Sequence, residues 1–126
     1  MRKVYPIEPC PKPRMTRRDK WAKRPCVNRY RKFKDLCRIH NVQVPESGAS
    51  IQFIVSMPKS WSAKKRAEML GKPKLSTPDL DNYLKAFNDA ANGVLWSDDA
   101  CISDISCIKR YAEKSSIVVS LYYISL

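Results

Sequence analysis

Six aspartates lie between residues 79 and 104 of a chain that is otherwise strongly basic. They are Asp79, Asp81, Asp89, Asp98, Asp99 and Asp104. Lys85 is the single Lys or Arg in that window, so the window carries a net charge of −5 and leaves +17 on the rest of a chain whose total is +12. Carboxylates this concentrated need a compensating cation, and a divalent metal ion is the simplest one. A phosphate-rich partner would account for both charges together.

Asp79 and Asp81 stand at the predicted start of a helix. If Asp79 is still extended while Asp81 lies in the first turn, both carboxylates can converge on one point, where the helix N-terminus also favours negative charge. Asp98 and Asp99 follow the end of the same helix, so the chain must fold back to bring them to the first pair. Taken singly, Asp79 is better explained as a helix cap, and Asp98-Asp99 as a polar turn.

Carboxylate and water ligands select a hard ion such as Mg²⁺ or Mn²⁺ over zinc. Such an ion can support phosphodiester hydrolysis by activating a water and stabilising the leaving oxygen. Lys85, one turn after Asp81, could offset charge that develops on the transferred phosphorus centre. The joint occurrence of these residues in a basic chain predicts a metal site more strongly than any of them does alone.

The helix that positions the first pair has clear boundary signals. Pro78 biases Thr77 away from helical geometry and can itself occupy the first turn. Asn92-Gly93 ends the helix. A buried stripe at three- and four-residue spacing is expected from Leu80, Tyr83, Leu84, Phe87 and Ala91.

The remaining pattern predicts a single α+β domain over residues 1–126, with a small mixed β-sheet of about four strands and two to three helices. The Pro- and Arg-rich opening begins as a short edge strand and continues as a basic loop, or is a solvated tail. We expect the other elements to be a helix over 28–40, a strand over 51–57, a short helix capped by Ser60 and running to about Leu70, and strands over 100–111, with a bulge near Asp104, and 117–124. A turn at 113–116 makes the last two strands a C-terminal antiparallel hairpin.

The net charge of +12 indicates a polyanionic partner, most often nucleic acid, although a basic protein can also simply be soluble. Arg14, Arg17 and Arg18 of the opening, together with Lys85, are the expected DNA contacts. No apolar run approaches the roughly 20 residues that span a bilayer, and the N-terminus lacks the apolar stretch of a secretory signal. Five irregularly spaced cysteines suit reduced thiols, so a cytoplasmic location with no membrane partner is expected.

Several short motifs occur in order at fitting separations. They are Pro78-Asp79-Leu80-Asp81-Asn82, Lys85, Asp89-Ala90, Asn92-Gly93 and Trp96-Ser97-Asp98-Asp99-Ala100, preceded by Met57-Pro58-Lys59-Ser60-Trp61-Ser62 and Lys64-Lys65-Arg66. In this set, which covers most of residues 50–110, the chain resembles the RusA-type Holliday-junction resolvases, including their phage-encoded members.

This resemblance implies a Mg²⁺-dependent homodimeric endonuclease, with Mn²⁺ as a substitute ion, that resolves four-way DNA junctions by paired symmetric nicks in recombination and repair. Asp79, Asp81 and Asp99 take the places of the metal-binding catalytic aspartates, and Lys85 that of the functional lysine. Asp98 and Asp104 are weaker correspondences. A two-fold dimer suits a junction that is itself nearly two-fold symmetric. The alternatives are a less selective metal-dependent nuclease acting on forks or flaps, and a non-catalytic basic DNA-binding protein.

Overall fold

The computed structural model describes residues 2–14, 24–45, 47–91 and 104–121. These residues contain three helices, α1 (Pro25–Ile39), α2 (Ala63–Met69) and α3 (Leu80–Ala91), and four strands, β1 (Arg2–Tyr5), β2 (Ala49–Ser56), β3 (Ile105–Ala112) and β4 (Ser116–Leu121). The strands form one mixed sheet in the order β1-β4-β2-β3. The α+β class, the four-stranded mixed sheet and the N-terminal edge strand are therefore confirmed.

The two C-terminal strands run antiparallel and are joined by the short turn at 113–115, as the sequence predicts, but they do not pair with each other. β2 lies between them, parallel to β3 and antiparallel to β4. The connection crosses the end of β2, where Ser115 Oγ accepts a hydrogen bond from Ser56 N at 3.0 Å and Ala112 O accepts one from Met57 N at 3.2 Å. This arrangement makes β2 and β4 interior strands, as their dense β-branched and aromatic sequences require.

One face of the sheet packs against α1 and α3. Ile51 and Phe53 of β2 lie opposite Val119 and Ile117 of β4, and all four side chains are fully buried. Phe53 stacks on Tyr83 of α3, with ring centroids 5.6 Å apart, and meets the edge of Phe87 at 6.0 Å. Ile51 and Phe53 point to the same face because alternate residues of a strand do so. The ring contacts of Phe53 hold two successive turns of α3 against that face.

The helix boundaries differ from the sequence expectations in α1, α2 and α3. α1 begins at Pro25 instead of residue 28, because a proline fits the first helical turn and Arg24 before it is extended. Ser60 does not cap α2: it lies in a turn closed by Trp61 N donating to Pro58 O, and Ser62 caps the helix by accepting from Lys65 N at 3.2 Å.

Pro78 lies outside α3, which begins at Leu80, and a cis peptide bond joins it to Thr77. The expected end of α3 at Asn92-Gly93 lies just beyond the described part of this helix. The described part of the strand predicted over 100–111 begins at Ile105 and pairs with β2 in an unbroken register, so the bulge expected near Asp104 does not interrupt β3. Residues 100–103 and 122–124 of the predicted strands lie outside the described residues.

The described cysteines, Cys10, Cys26, Cys37 and Cys107, form no disulfide. Burial raises the pKa of the Cys37 thiol to about 12, so this cysteine is a packing residue of the core. Among the described helices, none is long and apolar enough to cross a bilayer.

Candidate active site

Asp79 and Asp81 flank the first residue of α3. The Asp79 carbonyl accepts hydrogen bonds from Asn82 N at 3.0 Å and Tyr83 N at 3.3 Å, so Asp79 precedes the helix while Asp81 lies in its first turn. Both residues are exposed. This is the arrangement that the sequence predicts for two carboxylates at a helix start.

The buried side of α3 packs against the core and so fixes the position of the helix start that carries these carboxylates. Its buried residues are Tyr83, Ala86, Phe87 and Ala90, and Leu80 and Leu84 pack against the same core while remaining partly exposed. Burial raises the pKa of Tyr83 to about 12, so its hydroxyl stays protonated and the side chain is an uncharged packing group. The predicted apolar stripe is confirmed except at Ala91, whose side chain lies outside the described set.

Lys85 lies one helical turn after Asp81 on the exposed side. Its ammonium nitrogen is 3.6 Å from Asp81 Oδ2, and the two side chains are 65% and 70% exposed. An exposed pair at this spacing contributes about 0.5 kcal/mol or less to stability. The lysine is therefore free to exchange its partner for a phosphate.

Asp89, in the last turns of α3, has a different environment. Its Oδ2 accepts a hydrogen bond from the Tyr30 hydroxyl of α1 at 2.7 Å and forms an ion pair with Lys12 Nζ at 2.6 Å. Partial burial raises the pKa of the Asp89 carboxyl, but the hydrogen bonds from Lys12 and Tyr30 outweigh that effect and the pKa is lowered overall. This carboxylate ties the N-terminal segment and α1 to α3.

Asp104 holds the loop that leads into β2. Its Oδ1 accepts from Ser47 Oγ at 2.8 Å and its Oδ2 from Gly48 N at 3.0 Å. The residue stands just before β3, at the end of the strand where Ile105 pairs with Ala49. Both oxygens therefore bind the turn that leads into β2.

The loop before Asp79 is the part of the site that sequence reasoning missed. Residues 71–74 extend along the outer edge of β3, and the following carbonyls accept hydrogen bonds from two lysine side chains. Lys74 is buried, and its Nζ donates to Ser76 Oγ at 2.6 Å and to Thr77 O at 2.7 Å. Lys109 Nζ donates to Ser76 O and Pro78 O, each at 2.7 Å. No spacing rule joins two lysines this far apart, so a single sequence carries no signal for the pair.

The remaining predicted site residues are only partly described. Asp98 and Asp99, with Arg17 and Arg18 of the opening, fall outside the described residues. Arg14 is exposed, and its carbonyl accepts a hydrogen bond from Arg24 Nη2 at 2.8 Å. The described part of the chain contains no group of three or more His, Cys, Asp or Glu side chains arranged to hold a metal. Convergence of Asp99 on Asp79 and Asp81 therefore stays a prediction.

Comparison with known proteins agrees with the motifs around this site. A family model described as "Endodeoxyribonuclease RusA" matches residues 6–122. An "Uncharacterized protein YqaN" from Bacillus subtilis (strain 168) is 37% identical over 73 residues, which are 55% of this chain and 51% of that protein. The chain thus spans about half the length of this curated relative.

Proposed function

The chain belongs to the RusA family of endodeoxyribonucleases, and from this premise we propose that it resolves four-way DNA junctions by paired nicks in a Mg²⁺-dependent reaction. The observation that carries the proposal is the exposed carboxylate pair at the start of α3, on a helix whose other side is locked into the core. The family membership supports the DNA-cutting activity. The junction preference, the ion and the dimer extend that proposal.

The donor set fits a hard divalent ion. Asp79 and Asp81 offer carboxylate oxygens at an exposed helix start, and no described lysine or arginine other than Lys85 lies within 4 Å of either carboxylate. Mg²⁺ binds through one or two carboxylates and keeps several waters, so such a pair is sufficient to hold it against a phosphate. Asp99 is the proposed third ligand.

When bound, the ion supplies Lewis acidity for phosphodiester hydrolysis, in which a water adds to phosphorus and one P–O bond of the strand breaks. Asp79 and Asp81 hold and orient the ion. Lys85 turns from Asp81 towards the phosphate and offsets the charge that develops there. The charge of +17 outside the acidic window attracts the junction arms to the protein.

We propose a two-fold homodimer of a single-domain subunit as the active form. Two identical sites related by a two-fold axis match the two opposed strands that must be cut in a junction. Sedimentation of the protein with and without a junction measures the stoichiometry. A monomer bound to a fully resolved junction would contradict this part of the proposal.

The decisive experiment compares cleavage of a synthetic four-way junction with cleavage of a linear duplex of the same arm sequence, in Mg²⁺. We expect the junction to be cut more than about tenfold faster, a difference of about 1.4 kcal/mol. A smaller preference would favour a general metal-dependent nuclease. Junction binding with no cleavage by the folded wild type would favour a non-catalytic DNA-binding protein.

A further inference from the structure

The loop between α2 and α3 is fastened to the sheet before it reaches the carboxylates. α2 ends at Met69 with Leu70 as its C-cap, and Gly71 has a positive φ of 76°, which lets the chain turn back along β3. Gly71 N donates to Tyr111 O at 2.9 Å, and Tyr111 N donates to Lys72 O at 3.0 Å. Lys74 N then donates to Lys109 O at 3.0 Å. The segment 71–74 therefore runs antiparallel along the edge of β3 as a short added strand, which is too brief to count among the four strands of the sheet and contains a single bridge between Pro73 and Arg110.

Beyond this added strand, two ammonium groups bind three consecutive residues of the backbone. Lys74 Nζ contacts the hydroxyl of Ser76, its carbonyl at 3.4 Å, and the carbonyl of Thr77. Lys109 Nζ binds the carbonyls of Ser76 and Pro78. We call this pair of lysines the lysine clamp. Its last contact, Pro78 O, is immediately before Asp79.

The ring of Tyr111 completes the clamp on its buried side. Tyr111 is buried, its hydroxyl lies 3.2 Å from Ser76 Oγ, and Lys74 Nζ lies 5.6 Å from the ring centroid. Trp61 packs edge-on against the same ring at 5.0 Å. Hydrogen bonds from a charged donor in such a partly buried place are worth more than those between neutral groups. Hydrogen bonds from the two ammonium groups therefore hold the loop. Apolar packing contributes little, because Leu75 in the middle of the loop is 92% exposed.

Asp79 is consequently fixed on both sides. The clamp holds the carbonyl before it, and the first turn of α3 holds its own carbonyl through Asn82 N and Tyr83 N. The two lysines donate to backbone carbonyls and to the Ser76 hydroxyl, which leaves the neighbouring carboxylates available to a metal ion. Groups that orient metal ligands commonly change metal affinity by about 10–100-fold when removed.

We propose that Lys74 and Lys109 are positioning residues of the cleavage site, which hold residues 76–78 so that Asp79 and Asp81 face one divalent ion. This inference rests on the proposed function, because it assumes that these carboxylates are metal ligands. It differs from that function in assigning a role to two lysines that touch neither the ion nor the phosphate.

The test measures Mn²⁺ binding directly, from the loss of the free-ion electron paramagnetic resonance signal, in the wild type, Lys109→Met and Lys74→Met. Met keeps the length of the side chain and removes the ammonium. Lys72→Met is the matched control, because Lys72 is an exposed lysine in the same segment and only its backbone joins the added strand. We expect Mn²⁺ binding to weaken about tenfold in the two clamp variants and to stay within twofold of the wild type in the control.

A second readout separates positioning from folding. The Mg²⁺ concentration that gives half-maximal cleavage should rise about tenfold in Lys109→Met, in line with its metal affinity, while the rate at saturating Mg²⁺ recovers. Lys109→Arg, which keeps a cationic donor, should restore most of the affinity. If Lys74→Met unfolds because Lys74 is buried, Lys109→Met decides, since Lys109 is only partly buried.

The outcomes distinguish the two proposals. Wild type that binds no Mn²⁺ and cuts no junction would overturn the proposed function itself. Wild type that binds and cuts, with clamp variants that match Lys72→Met in both affinity and Mg²⁺ dependence, would overturn the positioning role alone.

Discussion

At the C-terminal end of α3, the Asp89 carboxylate is bound by the Tyr30 hydroxyl and the Lys12 ammonium, both within 2.7 Å. At the N-terminal end of the same helix, the Asp81 side chain is 70% exposed and meets Lys85 at 3.6 Å. The sequence places both aspartates in one acidic window. The structure separates them into a carboxylate that joins elements of the fold and a carboxylate that is open to a ligand. Partners, and not residue type, decide which aspartate can do chemistry.

The largest effect should come from Asp81→Asn, which removes a ligand charge from the open end. We expect the single-turnover rate of junction cleavage to fall at least about 100-fold, or about 2.7 kcal/mol of transition-state stabilisation. The melting temperature should hardly change, because the side chain is exposed. Asp35→Asn on α1 is the control for the change in net charge, since Asp35 is also exposed. Equal cleavage by wild type and Asp81→Asn would remove the open end from the mechanism.

At the closed end, Asp89→Ala should act on stability. It removes a hydrogen bond from Tyr30 and the ion pair with Lys12. Given that the side chain is one-third exposed, we expect a loss of about 1–2 kcal/mol in the free energy of unfolding, measured by urea denaturation. Metal affinity of the folded fraction should be retained. If Asp89→Ala lost Mn²⁺ binding while its free energy of unfolding matched that of the wild type, Asp89 would act in the metal site and not in the stability of the fold.

Lys85→Ala sharpens the comparison within the open end. Because the lysine acts mainly on charge that develops during the reaction, cleavage should slow about tenfold, or about 1.4 kcal/mol, while junction binding is retained. The Asp81 ion pair is exposed, so stability should change by about 0.5 kcal/mol or less. A binding assay beside single-turnover cleavage separates the two effects. An unchanged cleavage rate would show that Lys85 has no role in the reaction.

The smallest expected effect is a pH dependence confined to the closed end. The folded-state pKa of Asp89 is lowered, chiefly by hydrogen bonds from Lys12 and Tyr30 that outweigh its desolvation. Its contribution to stability is therefore complete above the unfolded pKa of about 3.9 and is lost as the pH falls through the lower folded value. The stability difference between wild type and Asp89→Ala should be constant from pH 7 to 5 and shrink towards pH 3. A difference that grows in acid would contradict this assignment.

Local signals in the sequence were sufficient for α3 and its carboxylates. A proline before Asp79 indicates a helix start close to this aspartate, and apolar residues at helical spacing predict which side of the helix is buried. Alternation in β2 and the β-branched run in β4 likewise predict strands. These features depend on neighbours within a few residues, which a single sequence contains.

The features that sequence reasoning missed depend on pairing between distant segments. A short connection between β3 and β4 suggests that they are neighbours in the sheet. The strand that lies between them, β2, precedes β3 by about 50 residues in the sequence. The lysine clamp exists because segment 71–74 pairs with β3, and the structural role of Asp89 exists because Tyr30 and Lys12 reach it from elsewhere. The predicted approach of Asp99 to Asp79 and Asp81 also depends on contacts between segments that are distant in the sequence.

The position of β4 between β1 and β2 has a consequence for biosynthesis. β1 leaves the ribosome first, yet its partner in the sheet is the last of the four strands to be translated. Lys74, Asp79 and Asp81 are therefore translated well before β4, the strand that joins β1 to the rest of the sheet. The sheet that carries the candidate site can therefore be completed only after residue 121 has emerged.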